Sequence, residues 1–151
     1  MISVYLETTI FNRYLEEGRE FCAETKSLFG KIQNGEIEAY TSVYVISELE
    51  DAEEPKRSQM LDLINQFNVN ILGSDDSAQG LADIYIKAEV IPPKFRLDGV
   101  HIAMAAVNNL DYIVSLNFRH INKVKTKMVT AAINKVHGYS SPFICSPSEV
   151  L

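Results

Sequence analysis

The chain contains no tryptophan, two cysteines and seven glycines in 151 residues. Cys22 and Cys145 stand alone, with no Cys-x-x-Cys pair and no companion histidines at zinc spacing. That excludes a disulfide-built scaffold and a structural zinc site, and a reduced cytoplasmic setting is the simplest expectation. No run approaches the roughly 18 apolar residues needed to cross a bilayer. The first residues also lack the basic stretch and apolar run of a secretory signal. Positive charge is scarce too: 14 Lys and Arg against 20 Asp and Glu give a net charge of −6. A general positive field of the kind that holds nucleic acid is therefore absent.

What is present has an ordinary globular balance, 46% apolar and 23% charged residues. A length of 151 residues predicts one domain, 1–151, able to bury a core unaided. The charge is uneven along it. Segment 36–62 carries eight acids, Glu48 among them, against Lys56 and Arg57. Segment 117–135 carries Arg119, Lys123, Lys125, Lys127 and Lys135 with no acid. The pattern suits either a metal site beside a phosphate-binding rim or two solvated faces of opposite sign.

Short β-rich runs alternate with helical ones. Ile2–Leu6 predicts a buried first strand, with Thr8 or Thr9 capping a helix that begins near Phe11. Phe21 to Gln33 reads as an amphipathic helix stopped near Asn34-Gly35. Glu38–Thr41 is a second strand, Ser42 a cap for the helix Val43–Ala52, and a further helix after Pro55 runs to Phe67. Val69–Leu72 is the third strand, followed by a helix from Ser74 or Asp75. A helix from Leu97 to Asn108 leads into a fourth strand, Tyr112–Leu116. A last helix, Asn122–Val136, precedes the edge strand Pro142–Cys145, where proline is tolerable. Alternation of this kind predicts an α/β fold whose mostly parallel sheet is covered on both faces.

Several polar residues fall where such sheets keep their chemistry, outside the carboxyl ends of the strands. Glu7 directly follows the first strand. Glu48 lies on the apolar stripe of Val45, Leu49 and Ala52, where a carboxylate needs a cation or hydrogen bonds. Asp98 sits in the first turn of its helix, either as an acid favoured by the helix dipole or as a metal ligand. His101, three residues on and followed by small apolar residues, reads as a packed histidine behind the site rather than a ligand. Asn117 ends the fourth strand, either capping the turn through Phe118-Arg119-His120 or orienting a cation's water. Hard oxygen ligands of this type suit Mg²⁺ or Mn²⁺.

In order along the chain, these residues resemble a known family. Val4-Tyr5-Leu6-Glu7-Thr8-Thr9, Thr41-Ser42 through Ser47-Glu48, Asp98-x-x-His101-x-Ala103-x-Ala105 and Tyr112 to Ile121 are similar to the PIN-domain ribonucleases. The VapC-like toxins of toxin–antitoxin systems are the nearest branch, and Pro142 to Glu149 also looks like that branch. The resemblance implies a Rossmann-like α/β/α sandwich and Mg²⁺- or Mn²⁺-dependent hydrolysis of RNA to a 5′-phosphate and a 3′-hydroxyl. It places catalytic positions at Glu7, Glu48, Asp98 and Asn117, with Glu7, Glu48 and Asp98 as metal ligands. Its small hydroxyl residue falls on Thr8. The chain departs from the family pattern twice, with Glu7 in place of the usual aspartate and Asn117 in place of the usual fourth acid.

The first expectation is therefore a metal-dependent endoribonuclease, with a cognate antitoxin as partner and a homodimer as the family's habit. Thr8, Arg96, Arg119, His120 and Lys123 are candidates for holding RNA. The competing expectation is a catalytically weak PIN-like module for RNA binding or protein assembly, supported by Glu7 and Asn117. A receiver-like or phosphatase-like domain is disfavoured, because the chain has no Gly-rich phosphate loop and no evident phosphoacceptor aspartate after the third strand.

Overall fold

The computed structural model describes all residues, 1–151. Five strands form one sheet: β1 (Ile2–Leu6), β2 (Ile37–Ser42), β3 (Asn70–Leu72), β4 (Tyr112–Val114) and β5 (Phe143–Cys145). Their order is β3-β2-β1-β4-β5, and every neighbouring pair is parallel. Seven α-helices connect them: α1 (Thr8–Tyr14), α2 (Cys22–Gln33), α3 (Val43–Glu50), α4 (Lys56–Gln66), α5 (Asp76–Lys87), α6 (Arg96–Val107) and α7 (Val124–Val136). The result is a Rossmann-like α/β/α sandwich. No helix is long and apolar enough to cross a membrane.

The order of strands decides where a site can form. From β1 the chain steps outward to β2 and β3, then crosses back to β4 on the other side of β1 and ends at β5. Right-handed crossovers send the helices of the two halves to opposite faces of the sheet. A crevice must then open between β1 and β4, where the direction of winding reverses. Glu7 lies at the end of one of these strands, and Ser115 and Asn117 follow the other.

The core joins 37 buried residues from both faces. Helix α6 is its centrepiece: every residue from Gly99 to Ala106 is buried. Its alanines and Gly99 allow this, since small side chains let the helix approach its neighbours closely. A methyl at Gly99 would lie 3.6 Å from side-chain atoms of Ala82, Ile91 and Tyr85. Ile102 and Met104 on the same helix are fully enclosed, each contributing roughly 1.5–3 kcal/mol by removing apolar surface from water.

Boundaries differ from expectation where side chains bond to backbone. Helix α1 begins at Thr8 instead of near Phe11, and its cap is Glu7, not Thr8 or Thr9. β4 ends at Val114, so Asn117 lies three residues past the strand. Helix α7 starts at Val124 because Asn117 and Ser115 bind the backbone and side chain of Asn122 and hold it in the preceding loop. Ser42 and Asp75 cap α3 and α5 as their side chains predict.

Candidate active site

Glu7 is almost fully buried, 3% exposed, at the mouth of the β1–β4 crevice. Its Oε1 accepts the Thr9 hydroxyl at 2.5 Å, the Thr9 N–H at 3.3 Å and the Ser115 hydroxyl at 2.7 Å. The longer side chain thus turns back to cap its own helix while also reaching across to the segment after β4. Thr9 completes the link by accepting the Leu116 N–H at 2.9 Å. All these bonds fall on one oxygen, and Oε2 makes none within the protein. Burial raises the Glu7 carboxyl above the usual range and the nearby Glu48 charge adds to this, while His101, Thr9 and Ser115 oppose it.

Glu48 projects from α3, where Thr8 donates to its Oε1 at 2.7 Å and His101 Nε2 lies 2.5 Å from the same oxygen. Burial pushes this carboxyl up, but the bond and charge of His101, followed by Thr8, hold it below the ordinary value. His101 responds in the opposite sense. Full burial would lower the imidazole, yet the Glu48 bond and charge, then Glu7 and Asp98, raise it. The two form a short carboxylate–imidazole hydrogen bond. Behind it, the Tyr5 hydroxyl lies 2.8 Å from His101 Nδ1 and 2.7 Å from Ser42 Oγ. With imidazole neutral, protons point from Ser42 through Tyr5 to His101. When Nδ1 is protonated, the Tyr5 hydroxyl turns and donates to Ser42.

Asp98 stands in the first turn of α6 and makes no capping bond. Its Oδ2 is buried without a hydrogen-bond partner. Burial raises its carboxyl and Glu48 adds to this, against His101, Asn117 and His120. The charges of Glu7, Glu48, Asp98 and His101 therefore act on one another at a single place in the fold. An unpartnered buried carboxylate oxygen is expensive to maintain unless something binds it.

Asn117 takes the structural role open to it, with Oδ1 accepting the His120 N–H at 3.0 Å and bracing the turn. His120 is buried and stacked on Phe95 with ring centroids 4.2 Å apart, and its Nε2 also has no partner. Arg119 is exposed, its guanidinium 5.8 Å from the centre of the Phe95 ring. Lys123 is exposed at the start of α7. Arg96 is instead committed to Asp83 at 2.9 Å and to the Gln79 carbonyl. Thr8 spends its hydroxyl on Glu48. Of the acids in segment 36–62, Glu48 alone is drawn inward; the other seven are exposed.

Tyr5, Thr9, Ser115 and Phe95 were not among the candidates. Thr9 and Ser115 carried a usable signal, as hydroxyls flanking strand ends beside an acid. Tyr5 and Phe95 carried none, because aromatic residues in those positions also read as packing.

No group of three or more His, Cys, Asp and Glu side chains is gathered into a ready-made metal site. What the site does offer is oxygen atoms left without protein partners. Glu7 and Glu48 each keep Oε2 free of protein bonds, and Asp98 holds a buried oxygen with no partner. This is a hard-oxygen set with mutual repulsion that a cation would relieve, suited to Mg²⁺ or Mn²⁺ more than to zinc. No protein-family model matches the chain, and neither does any curated protein.

Proposed function

We propose that this chain is a Mg²⁺- or Mn²⁺-dependent endoribonuclease of the PIN-domain type, acting in the cytoplasm as the toxin of a toxin–antitoxin pair. The observation that carries the reading is the buried, unpartnered Asp98 Oδ2 beside the charges of Glu48 and His101, in a sheet with its crevice between β1 and β4. Sequence resemblance supplies the reaction class.

Glu7, Glu48 and Asp98 would hold the cation, which when bound makes water more acidic and offsets charge on a phosphodiester. Asp98, whose Oδ2 has no partner within the protein, would orient the attacking water. Water oriented by Asp98 attacks phosphorus, the bond to the 3′-oxygen breaks, and a 5′-phosphate and a 3′-hydroxyl result. His101 and Thr8 keep Glu48 ionised and fixed. Arg119 lies free to meet phosphate oxygens.

One observation favours the second reading, a catalytically weak module: Asn117 replaces an acid and its oxygen is already bonded to the His120 N–H. Incubation of the purified chain and its Asp98→Ala variant with RNA and Mn²⁺ separates the two. The nuclease reading expects cleavage that falls by roughly 100-fold or more in the variant. Equal cleavage by both proteins removes Asp98 from the site, and no cleavage by either favours the binding module.

A further inference from the structure

Phe118 follows Asn117 directly and is 48% exposed, yet the loop that carries it is firmly tied. The Asn117 N–H donates to Ser115 Oγ at 3.0 Å and the Phe118 N–H to the Leu116 carbonyl at 3.1 Å. The N–H groups of Ile121 and Asn122 converge on the Asn117 carbonyl at 3.1 and 2.8 Å. A loop held in this way presents the ring at a fixed place instead of folding it onto the core.

The ring is not alone. Phe21 packs against it with centroids 5.8 Å apart and planes tilted by 38°. Phe21 holds φ at +70°, in the left-handed region that a bulky side chain rarely adopts. Strain of this kind gathers at ligand clamps and functional sites. Immediately beyond Phe118, the exposed Arg119 holds its guanidinium 5.8 Å from the centre of the Phe95 ring. One dipeptide thus offers an aromatic face and a cation directly beside the site, where a base and its phosphate would pass together.

We infer that Phe118, backed by Phe21, is a stacking platform for the nucleobase next to the scissile phosphate, with Arg119 taking an adjacent phosphate. The inference rests on the nuclease reading and makes Phe118 a residue that selects and seats the substrate. Every base has a π-face, so such a platform seats an unpaired base whatever its identity and is blind to one kept inside a duplex. Phe118 offers an exposed ring and its neighbour Arg119 a positive charge, the two groups that a base and its phosphate require.

The test uses short single-stranded oligoribonucleotides carrying 2-aminopurine, bound to the whole chain in buffer with EDTA, where no cation is available. Wild type should quench the 2-aminopurine fluorescence and bind a strand with an abasic residue at that position on the order of 10-fold more weakly. Phe118→Ala should lose both effects and Phe118→Tyr keep them. With Mn²⁺, Phe118→Ala should raise KM by a similar factor and leave kcat nearly unchanged. Binding and cleavage by Phe118→Ala at wild-type levels would overturn the platform while leaving the nuclease reading intact. Quenching and base discrimination by a wild type that never cuts RNA would keep the platform and end the nuclease reading. Loss of a protein partner by Phe118→Ala, with RNA binding untouched, would reassign the aromatic pair to protein docking and overturn the inference.

Discussion

His101 Nε2 lies 2.5 Å from Glu48 Oε1, joining α6 to α3 over the top of the sheet. The histidine is fully buried while the glutamate side chain is 30% exposed. Removing the imidazole should leave Glu48 half-desolvated and Tyr5 with Ser42 as its remaining partner. His101→Leu is expected to lower stability by about 1–3 kcal/mol, less than for a fully enclosed pair because solvent reaches the glutamate. Urea unfolding measures this, and a cycle with Tyr5→Phe should give a non-additive result, since both residues belong to one network.

Glu7 should behave in the opposite way. Its carboxyl is raised mainly by burial, so the ionised form is held against its preference at neutral pH. Glu7→Gln keeps an oxygen to accept from Thr9 and Ser115 and removes the charge. The melting temperature in cation-free buffer should rise by about 2–4 °C, the shift expected for ~1 kcal/mol in a chain of this size. RNA cleavage should be lost in the same variant. An unchanged or lower melting temperature would mean that burial of the charge is not the dominant effect.

Acidity follows from the same shifts. Glu7, Asp98 and His101 are all raised, so the stability they contribute is full below their ordinary values and lost as pH rises through the raised ones. Glu48 is lowered, so its contribution is full above its ordinary value and lost as pH falls through the lowered one. Cation-free protein should therefore be most stable near the ordinary carboxylate range and lose stability steadily as pH rises from there toward neutral. Added Mn²⁺ should lift the neutral side of the curve and flatten it. Melting scans from acid to neutral pH with EDTA or Mn²⁺ check both statements.

Asn117→Asp restores the acid that the family pattern carries. The new carboxylate can still accept the His120 N–H, so the turn should survive. Divalent-cation affinity should increase by about 5- to 150-fold, corresponding to the roughly 1–3 kcal/mol that one charge contributes at short range in a partly screened site. Titration calorimetry with Mn²⁺ reads this directly. Equal affinity in both proteins would place Asn117 outside the cation's reach.

Gly99 occupies the interior of α6, where a glycine weakens a helix by about 0.5–1 kcal/mol relative to alanine. The nearest atoms to an added methyl are at 3.6 Å, ordinary contact distance. Gly99→Ala should therefore stabilise the chain by roughly that amount. A loss of stability in denaturant would show that α5 and α6 pack more tightly than these distances indicate.

The periodic parts of the chain were legible in its sequence. Alternation of β-rich and helical runs predicts the five strands, and hydroxyl and carboxyl caps such as Ser42 and Asp75 mark their helices correctly. The errors concentrate at Glu7 to Phe11 and at Ser115 to Val124. In the first segment side chains find partners brought near only by folding, as Glu7 accepts the Ser115 hydroxyl and Thr9 the Leu116 N–H, whereas in the second the bonds are local, as Asn117 accepts the His120 N–H. The same limit applies to the site. Glu48 and His101 each looked anomalous in its own stripe, but their pairing across 53 positions follows from sheet order and not from local spacing. Arg96 shows the converse, a cation free on paper and bound by Asp83 in the fold.

The double duty of Glu7 has a consequence for how this protein can be silenced in evolution. One oxygen starts α1 and bridges to the segment after β4, while the other is left for chemistry. On the proposed nuclease reading, a mutation to a short or apolar residue there would strip the activity and loosen the scaffold together, and the altered chain would be exposed to proteolysis. Asp98 caps no helix, and its buried Oδ2 holds nothing within the protein. Inactive but well-folded descendants of this chain should therefore arise first at Asp98.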